Sequence, residues 1–166
     1  MAAEFAAFAV ADRMVALYRA IETRVRELNP TAPRLELLSL YEGMRLAMGK
    51  SGERWRNLTY AKTTTLDEEL RELLWKLLSL YEEVAASALA HVAAAETPLA
   101  VSWRNTYLRG KASANFVLLN MSGTTALIPP DVLLAELGVV VGCALQLSSI
   151  AALARPPSIL EEAGVA

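Results

Sequence analysis

From Leu137 to Ala154, eighteen consecutive residues carry no charge. The surface of such a run must be withdrawn from water either by the rest of the chain or by lipid, and its length just reaches that of a membrane span. Gln146, Ser148 and Ser149 break its apolar character and favour a helix buried in a bundle. Lipid contact through residues 137–154 remains the alternative. Gly138 and Gly142 stand one turn apart in this segment, a spacing that lets another helix approach closely in lipid or in a packed interior. They are therefore candidate helix-packing residues, against a helix of the same chain or of a neighbour.

The remaining sequence supplies partners for such a helix. Val10, Met14, Leu17, Tyr18, Ile21, Val25 and Leu28 recur at helical spacing and predict a long amphipathic N-terminal helix that stops near Asn29-Pro30. Pro33 permits a restart through RLELLSLYEGMRLAM, broken around Gly49 to Gly52, with a short helix over residues 53–62. Leu66, Leu70, Leu73, Leu74, Leu77, Tyr81 and Val84 form the next stripe, entered through a capping box from Thr65 to Glu68. Thr97-Pro98 starts a further helix reaching about Met121, with a bend or split allowed at Gly110. Helix-forming residues dominate and no run alternates apolar with polar, so little or no sheet is expected. The chain of 166 residues is 54% hydrophobic, enough for one all-α helical bundle. Within that single domain, residues 1–62 read as a basic helical arm and residues 63–166 as the bundle.

Catalytic and metal chemistry find few participants. Gly49-Lys50-Ser51 ends like a phosphate loop, but five residues separate Gly43 from Gly49 where four are required, and a helical pattern precedes it instead of a strand. His91 is the only histidine and Cys143 the only cysteine, so neither a zinc site of the common kinds nor an internal disulfide can form within one chain. No metal, no cofactor and no enzymatic activity are expected. Glu4 stands where a secretory leader would be positive, which predicts a protein kept in the compartment of its synthesis.

The charge pattern points toward a polyanion. The net charge is −2, yet residues 1–62 hold ten Arg or Lys against seven Asp or Glu, and residues 63–166 hold six against eleven. Arg45, Lys50, Arg54, Arg56 and Lys62 face a single acid, Glu53, and Trp55 and Tyr60 are interleaved with them. A second cluster places Arg104, Arg109 and Lys111 beside Trp103 and Tyr107, with no acid from Thr97 through Pro130. Cations hold phosphates, and aromatic faces take bases or sugars. The competing reading makes these aromatics core or interface anchors with their arginines at the surface. The two clusters also echo one another: LLSLYE at Leu37 to Glu42 recurs at Leu77 to Glu82, followed by WRN and a tyrosine each time.

Chain size, Ala/Leu-rich helices broken at Asn29-Pro30 and Gly49 to Gly52, and a basic N-terminal part ahead of an apolar C-terminal helix together resemble the α-helical coat proteins of filamentous archaeal viruses. That resemblance implies N-terminal helices wrapped on double-stranded DNA, a bundle packed along a filament, and a place in a virion. It assigns DNA contacts to Arg45, Lys50, Arg54, Arg56 and Lys62. The net charge of −2 departs from a strongly basic coat protein, and self-association or a paralogous coat subunit would supply the missing cations. In size and helicity the chain is also similar to the small helical subunits of CRISPR effector complexes, and a helical-bundle enzyme with an intersubunit site is the third alternative.

Overall fold

The computed structural model describes residues 2–30, 63–92 and 97–154. The helices expected over residues 34–62, and the break between them, lie outside the described residues. The elements in chain order are α1 (Ala2–Leu28), β1 (Thr64–Thr65), α2 (Glu68–Val92), α3 (Thr97–Asn120), β2 (Met121–Ser122), β3 (Thr125–Ala126) and α4 (Pro130–Ala154). The fold is an all-α bundle, and its sheet is confined to three two-residue antiparallel strands in the order β1-β3-β2.

Helix α4 packs against each of the other three, with α1 and α2 also in contact and α3 lying against α2 and α4. Its uncharged run is thus covered from several sides: Leu133, Leu137, Val140, Ala144 and Leu147 are fully buried. Among the described residues it is also the one helix long and apolar enough to cross a membrane. The expected stripe of α2 is the centre of the core, with Leu70, Leu74, Leu77, Tyr81 and Val84 buried, and α1 contributes Met14, Ile21 and Val25.

Two local devices fix where the chain turns. The buried Asn29 closes α1 by donating Nδ2 to the Val25 carbonyl at 2.8 Å, and its Oδ1 accepts the Thr65 N–H at 2.8 Å. The same Nδ2 lies 3.2 Å from the Thr65 carbonyl oxygen, so one amide side chain pairs with β1 as a neighbouring strand would. The end of α1 is therefore clasped to the strand that precedes α2. The second device corrects the capping box: Asp67, not Thr65, caps α2, its Oδ1 accepting the Leu70 N–H at 2.8 Å. Thr65 is held extended by Asn29 and by pairing with Thr125, and a carboxylate outcompetes a hydroxyl at the positive end of a helix. Arg24 of α1 holds the other oxygen of Asp67, tying the two helices together and pulling the Asp67 carboxyl below its ordinary range.

Gly110 does not split α3, which runs unbroken through it. A Cβ built there would lie 2.1 Å from the Tyr81 hydroxyl oxygen and 2.9 Å from the Cys143 Cβ. The glycine is required by space: it lets α3 close over Tyr81. Among the described residues Gly138 and Gly142 meet no such close approach. A Cβ at Gly138 would meet the Tyr18 hydroxyl only at 3.8 Å, and one at Gly142 would meet nothing within 4 Å. The reason is rotational, since Gly142 lies on the exposed side of α4.

Candidate functional site

Trp103, Tyr107 and Lys111 are spaced four apart, so α3 presents them as one row, and that row faces α2. Tyr107 stacks between two rings, with centroids 5.1 Å from Trp103 and 5.9 Å from Tyr81 and interplanar angles of 11° and 5°. Each polar end finds a partner. The Trp103 indole N–H donates to the Ala85 carbonyl at 3.1 Å, and the Tyr81 hydroxyl donates to the Tyr107 carbonyl at 2.9 Å. The Tyr107 hydroxyl donates to Glu82 Oε2 at 3.0 Å, and Lys111 Nζ sits 2.6 Å from Glu82 Oε1.

Glu82 is thus the hub of a half-buried clasp between α2 and α3. Burial, then the Glu82 carboxylate, raises the Tyr107 phenol above its ordinary range, and Glu82 raises the Lys111 ammonium. Burial chiefly raises Tyr81 as well. The anchor reading therefore describes Trp103 and Tyr107, which stack on neighbouring rings and hydrogen-bond to α2. Lys111 is spent on Glu82.

Arg109 points to the other side of α3. Its Nε lies 3.4 Å from the Cys143 sulfur and its terminal nitrogen donates to Gln146 Oε1, across an open hollow of about 280 Å³ lined also by Val139 and Gly142. Arg104 is exposed. Of the second predicted cluster, then, the fold brings Trp103, Tyr107 and Lys111 together as a structural seam and leaves Arg104 and Arg109 toward solvent. The first cluster, Arg45, Lys50, Arg54, Trp55, Arg56, Tyr60 and Lys62, lies outside the described residues. Among the described residues no three side chains of metal-binding type converge.

Three contributors escaped the sequence reading. Glu82, Asn29 and the Arg24–Asp67 pair each join polar groups at least 25 positions apart. A signal for Glu82 existed all the same, because the two parts of the recurring pattern, LLSLYE and WRN with its tyrosine, are the segments that pack on each other here.

The outward side of α3 is the remaining feature. Val101, Leu108, Ala112, Phe116 and Leu119 recur along it, all exposed, with Leu119 at 84%. The outer side of α4 exposes Val139, Gly142 and Leu153 together with Gln146 and Ser149, and Arg109 borders the hollow that Val139 and Gly142 line. Exposed apolar stretches of this extent mark contact surfaces. No protein-family model matches the chain, and searches of curated proteins and of solved structures return no match.

Proposed function

We propose that this chain is a structural subunit that packages double-stranded DNA, acting as a coat component of a filamentous particle. The observation that carries the reading is the division of labour across the Asn29–Thr65 clasp. Thirty-five positions of chain separate Asn29 from Thr65, both ends are held together, and all five cations of the Arg45 to Lys62 cluster fall between them. The described helices offer a different surface, with large apolar side chains exposed on α3 and α4 and suited to neighbouring subunits. A segregated basic segment and an apolar outer wall are what a subunit needs if it must hold phosphates and also pack on copies of itself.

Binding by such a segment is electrostatic and indifferent to sequence. Five neutralised phosphates give a logarithmic salt slope of about −4.5, and Arg54→Ala with Arg56→Ala reduces it by about 1.8 while weakening every duplex alike. The measurement is a salt titration of affinity on two unrelated duplexes, with electron microscopy of the nuclease-treated and DNA-loaded protein. Unchanged affinity in the double variant overturns the assignment. Activity toward a small molecule, together with indifference to nuclease, favours the intersubunit enzyme instead.

A further inference from the structure

Along α4 the residues Val132, Ala135, Val139, Gly142, Gln146, Ser149 and Leu153 follow alternating steps of three and four, and every one of them is exposed. That spacing is the seam of a left-handed helix pair, in which one row stays against a partner helix over its whole length. Size alternates within the row. Val132, Val139, Gln146 and Leu153 hold one heptad position, and the small Ala135, Gly142 and Ser149 hold the other. Nothing among the described residues requires the smallness of Gly142, since a Cβ there would meet no atom within 4 Å.

We propose that two copies of this chain pair through α4, antiparallel about a two-fold axis, with Val139 of each copy packed on Gly142 of the other. Size sets the register. Placing 139 opposite 142 places 135 opposite 146 and 132 opposite 149, so each larger residue meets a small one: Val139 on Gly142, Gln146 on Ala135, Val132 on Ser149. Leu153 overhangs the start of the other helix. A parallel pair would set large on large and small on small, which no single helix separation suits. The row is its own complement, so the contact is isologous and closes at two; an open head-to-tail contact would need two different surfaces. The inference rests on the self-packing part of the proposed function, for which it supplies the pair.

Charge agrees with a register it did not set. Cys143 marks the flank of α4 that faces α3, with Arg109 Nε 3.4 Å from its sulfur. Glu136, seven residues earlier, lies on that same flank and is the one charge from Val132 to Ala154. Within one chain Arg109 is held at Gln146, about 15 Å along α4 from Glu136. A two-fold axis across antiparallel helices keeps like flanks on the same side, and in this register Glu136 of the second copy stands level with Leu145, beside Gln146. Arg109 of each copy therefore meets Glu136 of the other, twice per pair. The open hollow lined by Arg109, Val139 and Gly142 lies at this level, and Val139 of the second copy fills it. A bilayer is the poorer occupant, because Glu136, Gln146, Ser149 and the Arg109 guanidinium lie in or beside the row and hydrocarbon offers them no partner.

The test is sedimentation of the full chain, free of DNA, over micromolar to high-micromolar concentrations, with far-UV dichroism and thermal melting verifying each fold. The parent should populate a dimer. Gly142→Leu should abolish it, because the added side chain collides with Val139 of the second copy, and melting at low concentration should not fall. Arg109→Glu and Glu136→Arg should each weaken pairing more than about tenfold, since each reversal acts at both symmetry-related contacts, and the two combined should restore it. A dimer that tolerates Gly142→Leu overturns this pairing while leaving self-packing through another face intact. So does a combined reversal no better than its parents. A parent monomeric throughout overturns self-packing as well, and the salt titration then still decides DNA binding by itself. A monomeric parent that sediments with phosphatidylglycerol vesicles, and no longer does so as Val139→Asp, assigns the row to lipid instead.

Discussion

The two sides of helix α3 obey different rules. Toward α2 and α4, every polar end of Trp103, Tyr107 and Lys111 meets a partner, and Gly110 leaves room to the atom for Tyr81. On the outer side, residues of the same size and greasiness keep 40% or more of their surface in water, with Leu108 and Leu119 more than half exposed. The same helix thus specifies its own bundle on one side and offers an unused surface on the other. Polar matching, rather than hydrophobicity, distinguishes the two sides. Apolar content alone would have assigned both to the core.

The comparison breaks most visibly at the glycines. Gly110→Ala places a methyl group where the Tyr81 hydroxyl and the Cys143 Cβ already are, and Tyr81 is fully buried and hydrogen-bonded to the Tyr107 carbonyl, so it has nowhere to retreat. We expect a loss of about 3 kcal/mol or more, at the upper end for overpacking. Gly142→Ala meets open space on α4 and should gain up to about 1 kcal/mol from helix propensity. Chemical denaturation of the two variants beside the parent decides the matter. Equal stabilities would mean that Gly110 is not at a close contact.

This contrast also marks what the sequence conveyed. The four described helices and the α2 stripe were legible because periodicity is a local property, and Leu70, Leu74, Leu77, Tyr81 and Val84 recur on one face whatever the fold around them. Which glycine is crowded is not local. Gly138 and Gly142 satisfy a spacing rule, but their rotation relative to α3 and α1 is set by tertiary packing, and Gly110 shows no spacing pattern at all. The cap was misplaced by two residues for a similar reason, since Asn29 claims Thr65 from 36 positions away. In the candidate site the sequence left two allegiances open for Trp103, Tyr107 and Lys111, a phosphate-and-base surface or anchors between helices, because the partners that hold them, Glu82, Ala85 and Tyr81, are set against them only by the fold.

A smaller effect isolates the polar side. Glu82→Ala leaves the Tyr107 hydroxyl and the Lys111 ammonium without their shared acceptor, and because Glu82 and Lys111 are 45% and 37% exposed the cost should be about 1 kcal/mol. The same clasp gives the seam a pH signature. Lys111 is raised above 10.5, which favours its charged form in the fold, and Tyr107 is raised above 10.0, which favours its neutral form. Both contributions are full below those ordinary values and are lost as pH rises through the folded ones. Urea midpoints should therefore fall from about pH 10 upward, and the fall should be shallower in Glu82→Ala. A parallel decline in both proteins would detach the clasp from alkaline stability.

The smallest expected change is on the outer row, and it is the one that makes the comparison functional. Leu108 and Leu119 contribute little to the monomer, because a side chain that keeps most of its contact with water in the folded state gains little by folding. Replacing both by serine should shift the unfolding free energy by no more than about 0.5 kcal/mol, the range of ordinary surface substitutions. If those leucines are held by a neighbouring subunit, the same change removes a large share of the apolar area of that contact, so association weakens while monomer stability holds. Denaturation at low protein concentration and sedimentation at high concentration report the two quantities separately. A loss of monomer stability comparable to that of Gly110→Ala would show that the outer row is covered by this chain's own residues, and the two sides of α3 would then be one continuous core.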